Sequence, residues 1–159
     1  YPGSFDPITL GHLNIIKRAA VCFDKLIVCV LINSDKHGGL FTPEERADLI
    51  RRVVAKLPNV EVDCSATLLA EYARQKGARV VVKGRRAVSD FEQEVQMALI
   101  NRKLNPRLET MFLPSSAKYT YVSSSVVKEM ARYGADLSDF VPREIIDDVN
   151  AKMKSRRDG

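Results

Sequence analysis

The run Leu26-Ile27-Val28-Cys29-Val30-Leu31-Ile32 is uninterrupted and apolar, which is typical of a strand that is covered on both faces. Three shorter apolar or alternating runs, at residues 60–64, 80–82 and 111–113, indicate further strands. Helical patterns separate these runs. Alternation of strands and helices predicts an α/β fold with a parallel sheet and helices on both faces.

Several helix ends can be read directly from the sequence. Thr42-Pro43-Glu44-Glu45 combines an N-cap, a proline in the first position and a glutamate that closes a capping box. Gly77 and Gly134 are placed to end two later helices. We therefore expect helices that start at 43, run from 67 or 68 to 76, from 89 or 90 to about 104, from 123 or 124 to Gly134, and over 142–154.

The length of 159 residues, with 45% apolar and 28% charged residues, predicts one globular domain over residues 1–159. Tyr1-Pro2-Gly3 reads as the end of a strand whose body lies upstream, so we expect a first strand truncated at the N-terminus. No apolar run approaches the roughly 20 residues that span a bilayer. We expect a cytoplasmic protein in which Cys22, Cys29 and Cys64 are buried, reduced thiols.

The net charge of +5 raises the question of whether the chain binds nucleic acid. Most basic residues alternate with acidic ones, and the single dense cluster lies at the C-terminal end, at Lys152, Lys154, Arg156 and Arg157. A terminal run of this kind is usually solvated. We expect no nucleic-acid partner, because anionic small substrates account equally well for the surplus charge.

In folds of this class, ligands bind beyond the carboxyl ends of the strands, so the β-to-α loops are the places to look. The first loop is Gly3-Ser4-Phe5-Asp6-Pro7-Ile8-Thr9-Leu10-Gly11-His12. Its glycines permit a close approach of the backbone, and a helix start directs free N–H groups toward an anion. Taken alone, Gly11-His12 is either a phosphate contact or a helix-capping turn with an incidental histidine.

Three further loops carry cationic or hydroxyl groups. Lys36 lies in a polar loop, where a lysine either follows a phosphate or is simply solvated. Lys83-Gly84-Arg85-Arg86 places basic side chains around a glycine before a helix. Serines 123–125 cap a helix whatever the function, and they can also hold phosphates. No C-x-x-C spacing exists, so the sequence predicts no protein-held metal site.

The first loop matches the pattern Gly-[Ser/Thr]-Phe-Asp-Pro-x-[Thr/His]-x-Gly-His, and the chain thereby resembles the nucleotidyltransferase superfamily. Thr9 in the first variable position and the block from Lys83 to Glu94, which ends in Asp-Phe-Glu-x-Glu, resemble its phosphopantetheine adenylyltransferase branch. Lys83 stands where many members have Arg. Arg85 replaces an apolar residue, and Val122 replaces Ile.

This resemblance implies a Rossmann-like, doubly wound parallel five-stranded sheet with additional C-terminal helices. It implies transfer of the adenylyl group of ATP to 4′-phosphopantetheine, giving dephospho-coenzyme A and pyrophosphate. It further implies Mg²⁺ carried on ATP, a homo-hexamer, and coenzyme A as a feedback inhibitor. The implied residues are His12, Lys36 and Arg86 in catalysis; Ser4, Lys36, Leu69 and Lys83 with phosphopantetheine; and Ser4, Phe5, His12, Gly84, Arg85, Arg86, Glu94, Tyr119, Thr120, Tyr121, Val122, Ser123, Ser124 and Ser125 with ATP.

Two alternatives stay open at this point. The nearer is another nucleotidyltransferase of the superfamily, which would act on nicotinamide mononucleotide or use CTP. The more distant is a non-catalytic nucleotide sensor or a basic nucleic-acid-binding domain, which predicts binding without turnover and a steep dependence on salt.

Overall fold

The computed structural model describes residues 1–32, 38–85 and 91–157. Strands and helices alternate along the chain as the sequence predicts. The strands are β1 (Pro2–Gly3), β2 (Leu26–Leu31), β3 (Val60–Ser65), β4 (Val80–Arg85) and β5 (Glu109–Pro114); the helices are α1 (Leu10–Cys22), α2 (Pro43–Val54), α3 (Leu69–Gln75), α4 (Phe91–Leu104), α5 (Ser124–Arg132) and α6 (Ile146–Arg157), with 3₁₀ turns at Ala117–Tyr119 and Arg143–Ile145.

All observed strand pairs are parallel, which confirms the predicted fold class. β2 lies between β1 and β3, with Val28 opposite Val62, and β4 pairs with β5, with Val82 opposite Met111. The hydrogen-bonded pairing thus divides the five strands into a three-stranded and a two-stranded sheet rather than one continuous sheet. β1 and β4 nevertheless contact each other, so the two sheets lie side by side without backbone pairing between them.

Helices cover both faces of the strands, as adjacent residues of β4 show. Val82 packs into the large core that also contains Ile16 of α1, Ile50 of α2 and Val127 of α5. Val81 belongs to a smaller cluster with Ala70 and Ala73 of α3, and with Leu108. Because successive strand residues point to opposite faces, the two clusters lie on opposite sides of β4.

The helix ends follow the local signals. The Thr42 hydroxyl accepts the N–H of Glu45 at 3.2 Å, and the Glu45 carboxylate accepts the N–H of Thr42 at 2.8 Å, which is the predicted capping box. Gly77 and Gly134 have φ values of +65° and +71°, which is the left-handed conformation of a helix-ending glycine. The last helix differs from prediction: residues 143–145 form a 3₁₀ turn, so α6 begins four residues later than expected, at Ile146.

The thiols differ in their surroundings. Cys29 is buried and Cys64 half-buried, but Cys22 is exposed, so the expectation of three buried thiols is wrong for Cys22. Cys22 is the last residue of α1 and lies one turn past Ala19, the last buried residue of that helix. Within the described ranges, no helix combines the length and apolar character that crossing a membrane requires.

Candidate active site

His12 completes a capping box at the start of α1. Its Nδ1 atom accepts the backbone N–H of Thr9 at 3.1 Å, while the Thr9 hydroxyl accepts the N–H of His12 at 3.3 Å. An Nδ1 atom that accepts an N–H carries no proton, so the proton of the neutral ring is on Nε2. His12 is therefore part of the cap and not incidental to it, and the cap leaves the ring in the tautomer that donates from Nε2.

The ring of Phe5 packs against the ring of His12. The Phe5 side chain is 1% exposed and its ring meets that of His12 edge-to-face, with the centroids 5.0 Å apart. Its φ of +46° lies in the left-handed region, which a bulky residue rarely adopts. Because the whole residue is enclosed, Phe5 holds the His12 ring in place from the protein interior. The neighbouring Ser4 is exposed and open to a ligand.

The start of α1 lies against the segment that begins α5. The Ser124 hydroxyl donates to the carbonyl oxygen of Pro7 at 2.8 Å. A methyl group placed on Gly11 would lie 3.6 Å from the Cβ atom of Tyr119. Two of the loops that the sequence singles out, residues 3–12 and 119–125, are therefore in direct contact.

The same helix contacts the carboxyl ends of β4 and β5. A methyl group on Gly84 would approach the Cγ1 atom of Ile15 to 2.8 Å, so this glycine lets α1 lie close to β4. Beyond β5, the Arg18 guanidinium donates to the carbonyl oxygen of Pro114 at 2.6 Å, and the Ser116 hydroxyl donates to Asn14 at 2.9 Å. Gly84 of β4, Pro114 at the end of β5 and Ser116 beyond it thus all lie against α1.

Two of the three serine hydroxyls at the start of α5 already form hydrogen bonds within the protein. The Ser123 hydroxyl caps the helix by accepting the N–H of Val126 at 3.1 Å, and that of Ser124 bonds to Pro7. Ser125 is exposed and Val122 is buried. Of the other residues expected at ATP, the Thr120 hydroxyl donates to Ala117, Tyr121 is 58% exposed, and Tyr119 is half-buried.

Lys83 and Glu94, which the resemblance assigns to different substrates, form an ion pair with each other at 3.4 Å. The pair connects the carboxyl end of β4 to the first turn of α4. Lys36 and Arg86, two of the three expected catalytic residues, lie outside the described residues, and so does the side chain of Arg85.

Asp6 is a residue that the sequence reading did not single out. Its carboxylate accepts the backbone N–H groups of Leu40 at 2.8 Å and Phe41 at 2.9 Å, and it pairs with Lys128 at 3.2 Å and with Arg46 at 3.3 Å. Burial opposes ionisation of the carboxyl, but the two N–H groups and two cations outweigh it and hold the pKa of Asp6 below its usual value. The available signal was that Asp6 is the single acidic residue of the loop 3–12.

The segment 39–41 is also held by the C-terminal helix. The Arg156 guanidinium donates to the carbonyl oxygen of Gly39, and Lys152 pairs with Glu45 at 2.6 Å. The pairing with Lys152 and the N–H of Thr42 hold the pKa of Glu45 below its usual value. The expectation that the basic cluster at the C-terminal end is merely solvated is therefore wrong for these two residues, because α6 packs against the start of α2.

Leu69 lies apart from these loops. It lines a cavity of about 490 Å³ on the α3 side of the strands, together with Tyr72, Lys76 and residues of β2 and β4. Neither residues 4–12 nor residues 119–125 contribute to that cavity within the described chain. Beside it, Asp63 accepts the Tyr72 hydroxyl at 2.8 Å and pairs with Lys76 at 2.7 Å, while burial raises the pKa of the Cys29 thiol.

The part of the chain that the structure describes contains no group of three or more His, Cys, Asp or Glu side chains that could hold a metal ion. The chemical groups around the start of α1 are instead an imidazole N–H, hydroxyls, helix N–H groups and lysine cations. All of these bind phosphate oxygens.

Comparison with known proteins supports a nucleotide substrate. The family described as cytidylyltransferase-like matches residues 1–130. A phosphopantetheine adenylyltransferase of Clostridium botulinum (strain Hall) is 52% identical over 158 residues, which cover 99% of this chain and 96% of the relative. A protein of the same name from Alkaliphilus metalliredigens is 53% identical over 152 residues, 96% of each chain.

Proposed function

Because this chain belongs to the phosphopantetheine adenylyltransferase family and transfers the adenylyl group of ATP to phosphopantetheine, we propose that the reaction occurs at the carboxyl end of the strands around the start of α1. The substrate phosphate attacks the α-phosphorus of ATP in line. A new P–O bond forms, the bond to the β-phosphate breaks, and pyrophosphate leaves. No covalent enzyme intermediate is needed, because the attacking oxygen is already anionic.

The observation that carries this proposal is the fixed orientation of His12. The capping box with Thr9 holds the ring in place and leaves the proton of the neutral imidazole on Nε2. A donor held in advance stabilises charge that grows on the α-phosphate in the transition state. Ser4, exposed in the same loop, is the supporting hydroxyl.

The start of α5 is proposed to hold the β- and γ-phosphates. Since the hydroxyls of Ser123 and Ser124 already have partners, their contribution comes through backbone N–H groups, with Ser125 adding a side-chain hydroxyl. Contact between Ser124 and Pro7 sets the start of α5 beside that of α1. Two adjacent helix N-termini suit a polyanion such as triphosphate.

Lys83, Lys36 and Arg86 are proposed to supply the remaining positive charge. Lys83 contacts the acceptor phosphate, and its ion pair with Glu94 holds the ammonium near the end of β4 until substrate arrives. Lys36 bridges the two reacting phosphates, and Arg86 contacts the leaving pyrophosphate. The nucleotide is contacted by Glu94, by residues 119–121, and by the backbones of Phe5, Gly84, Arg85 and Val122. The pantetheine arm is contacted by Leu69.

Mg²⁺ is proposed to enter on the phosphates of ATP. Magnesium favours phosphate and water oxygens, and the phosphate-binding groups described above are N–H, hydroxyl and cationic groups rather than metal ligands. The metal would neutralise charge on the triphosphate. The protein groups orient the phosphates around it.

The protein is proposed to be a single-domain cytoplasmic enzyme. It is further proposed to associate with copies of itself through α4 and β5. Met97, Ile100 and Leu104 recur at helical spacing on α4 and are 48%, 42% and 46% exposed, and Met111 on β5 is 47% exposed. Exposed apolar side chains grouped in this way favour burial against another copy. The resemblance implies a hexamer with coenzyme A as inhibitor. Ile100→Glu should lower the solution mass while leaving the monomer folded.

The direct test mixes purified protein with ATP, Mg²⁺ and 4′-phosphopantetheine and looks for dephospho-coenzyme A. Parallel reactions with CTP, or with nicotinamide mononucleotide as the acceptor, measure the selectivity through pyrophosphate release. We expect release only with ATP and phosphopantetheine. Tight ATP binding without pyrophosphate from any acceptor would support a nucleotide sensor instead.

A further inference from the structure

Asp6 joins three parts of the chain that are distant in sequence. Its side chain is 8% exposed. It lies in the loop before α1, accepts N–H groups from Leu40 and Phe41, and pairs with Arg46 of α2 and Lys128 of α5. None of these groups belongs to the set that contacts the reacting phosphates in the proposed function.

We propose that Asp6 is a positioning residue for adenylyl transfer, because its carboxylate fixes the loop that carries His12 against both residues 40–41 and α5. This inference rests on the proposed function, which places the transferred phosphate between the starts of α1 and α5. Asp6 acts on the reaction through the spacing of these elements and touches no substrate.

The contacts of α5 support this role. Ser124 and Lys128 are four residues apart, so they lie on one face of the helix. Ser124 donates to Pro7 and Lys128 pairs with Asp6, so two neighbouring residues of the loop are held by one helix face. The distance between the two helix N-termini is therefore set by contacts at Asp6 and Pro7.

The carboxylate also has a geometry that an amide cannot reproduce. Its two oxygens accept the N–H groups of two consecutive residues, Leu40 and Phe41. In Asp6→Asn, one of these oxygens becomes an NH₂ group, which cannot accept an N–H. The substitution keeps the shape of the side chain while releasing one loop contact and the charge that faces Arg46 and Lys128.

Asp63→Asn provides the matched control. Asp63 likewise accepts a backbone N–H, from Cys64, and pairs with a lysine, Lys76, but its side-chain partners in the described part of the chain belong to β3 and the α3 region. Loss of its charge should lower stability without moving the starts of α1 and α5.

The experiment measures kcat and KM for ATP in the full chain, together with hydrogen exchange of the Leu40 and Phe41 amides. For Asp6→Asn we expect kcat to fall about 10- to 100-fold, KM for ATP to change by less than about threefold, and both amides to exchange faster. Asp63→Asn should keep kcat within about twofold of wild type. Lys128→Met removes one partner of Asp6 and should lower kcat about threefold to tenfold. It tests the same proposal if Asp6→Asn does not fold.

An unchanged kcat in folded Asp6→Asn or in Lys128→Met would overturn the proposal, and so would an equal fall in Asp63→Asn. Faster amide exchange with unchanged kcat would make Asp6 a purely structural anchor. Failure of the proposed function is seen separately, because wild-type protein would then form no dephospho-coenzyme A.

Discussion

The Nδ1 atom of His12 accepts the backbone N–H of Thr9, so one ring both caps α1 and keeps the proton of its neutral form on Nε2. Capping and catalysis can therefore be separated by substitution. His12→Ala should lower turnover about 100- to 1000-fold, because a donor to the transition state is lost. It should also cost about 1 kcal/mol of unfolding free energy through the lost cap.

His12→Gln is the matched variant. Glutamine in this position of a capping box accepts the N-cap N–H, so we expect stability close to wild type in urea unfolding while turnover stays low. Recovery of turnover along with stability would show that the cap alone accounts for the defect. ATP affinity, measured by calorimetry, should change little in either variant.

Gly84→Ala should destabilise the protein by about 2 kcal/mol, because the new methyl group would overlap Ile15 where α1 lies close to β4. Thermal or urea unfolding measures the effect. Ile15→Ala removes the atom in the way, so the cost of Gly84→Ala should shrink in that background despite the cavity left by Ile15→Ala. An equal cost in both backgrounds would contradict the contact.

Short sequence patterns predicted much of the fold but few of the side-chain contacts within the site. Thr42, Gly77 and Gly134 gave correct helix ends, because caps act over three or four residues. The pairing of Lys83 with Glu94 and the contacts of Asp6 join residues 11 to 122 positions apart. Nothing local specifies such partners, so the sequence could place the loops at one edge of the sheet but could not tell which groups bind each other there.

Arg156→Ala should lower kcat about threefold with little change in the melting temperature, since it removes a contact to the Gly39 carbonyl but leaves the core intact. Lys154→Ala, an exposed residue of the same helix, is the control and should behave as wild type. Equal effects of the two substitutions would indicate a general loss of positive charge rather than loss of the Gly39 contact.

The contribution of Asp6 to stability should depend on pH. The carboxyl has an unfolded-state pKa of about 3.9 and a lower pKa in the folded protein, where the N–H groups, Arg46 and Lys128 face it. Its stabilisation is therefore fully present above the unfolded pKa and is lost as the pH falls through the folded pKa. The difference in unfolding free energy between wild type and Asp6→Asn should be largest near pH 7 and shrink below about pH 4.

Urea unfolding at a series of pH values from 7 to about 3.5 gives this difference directly. Asp63→Asn should show the same trend, because Lys76 lowers the pKa of Asp63 as well. If the difference in unfolding free energy between wild type and Asp6→Asn stays constant across the series, the carboxylate charge contributes nothing to stability.

The bond between Arg156 and Gly39 spans 117 positions of the chain. Proteins are synthesised from the N-terminus, and early segments begin to fold before later ones leave the ribosome. The segment at Gly39 is therefore translated long before the helix that holds it. A nascent polypeptide can therefore anchor this segment to α6 only near the end of translation, after the core strands have been made.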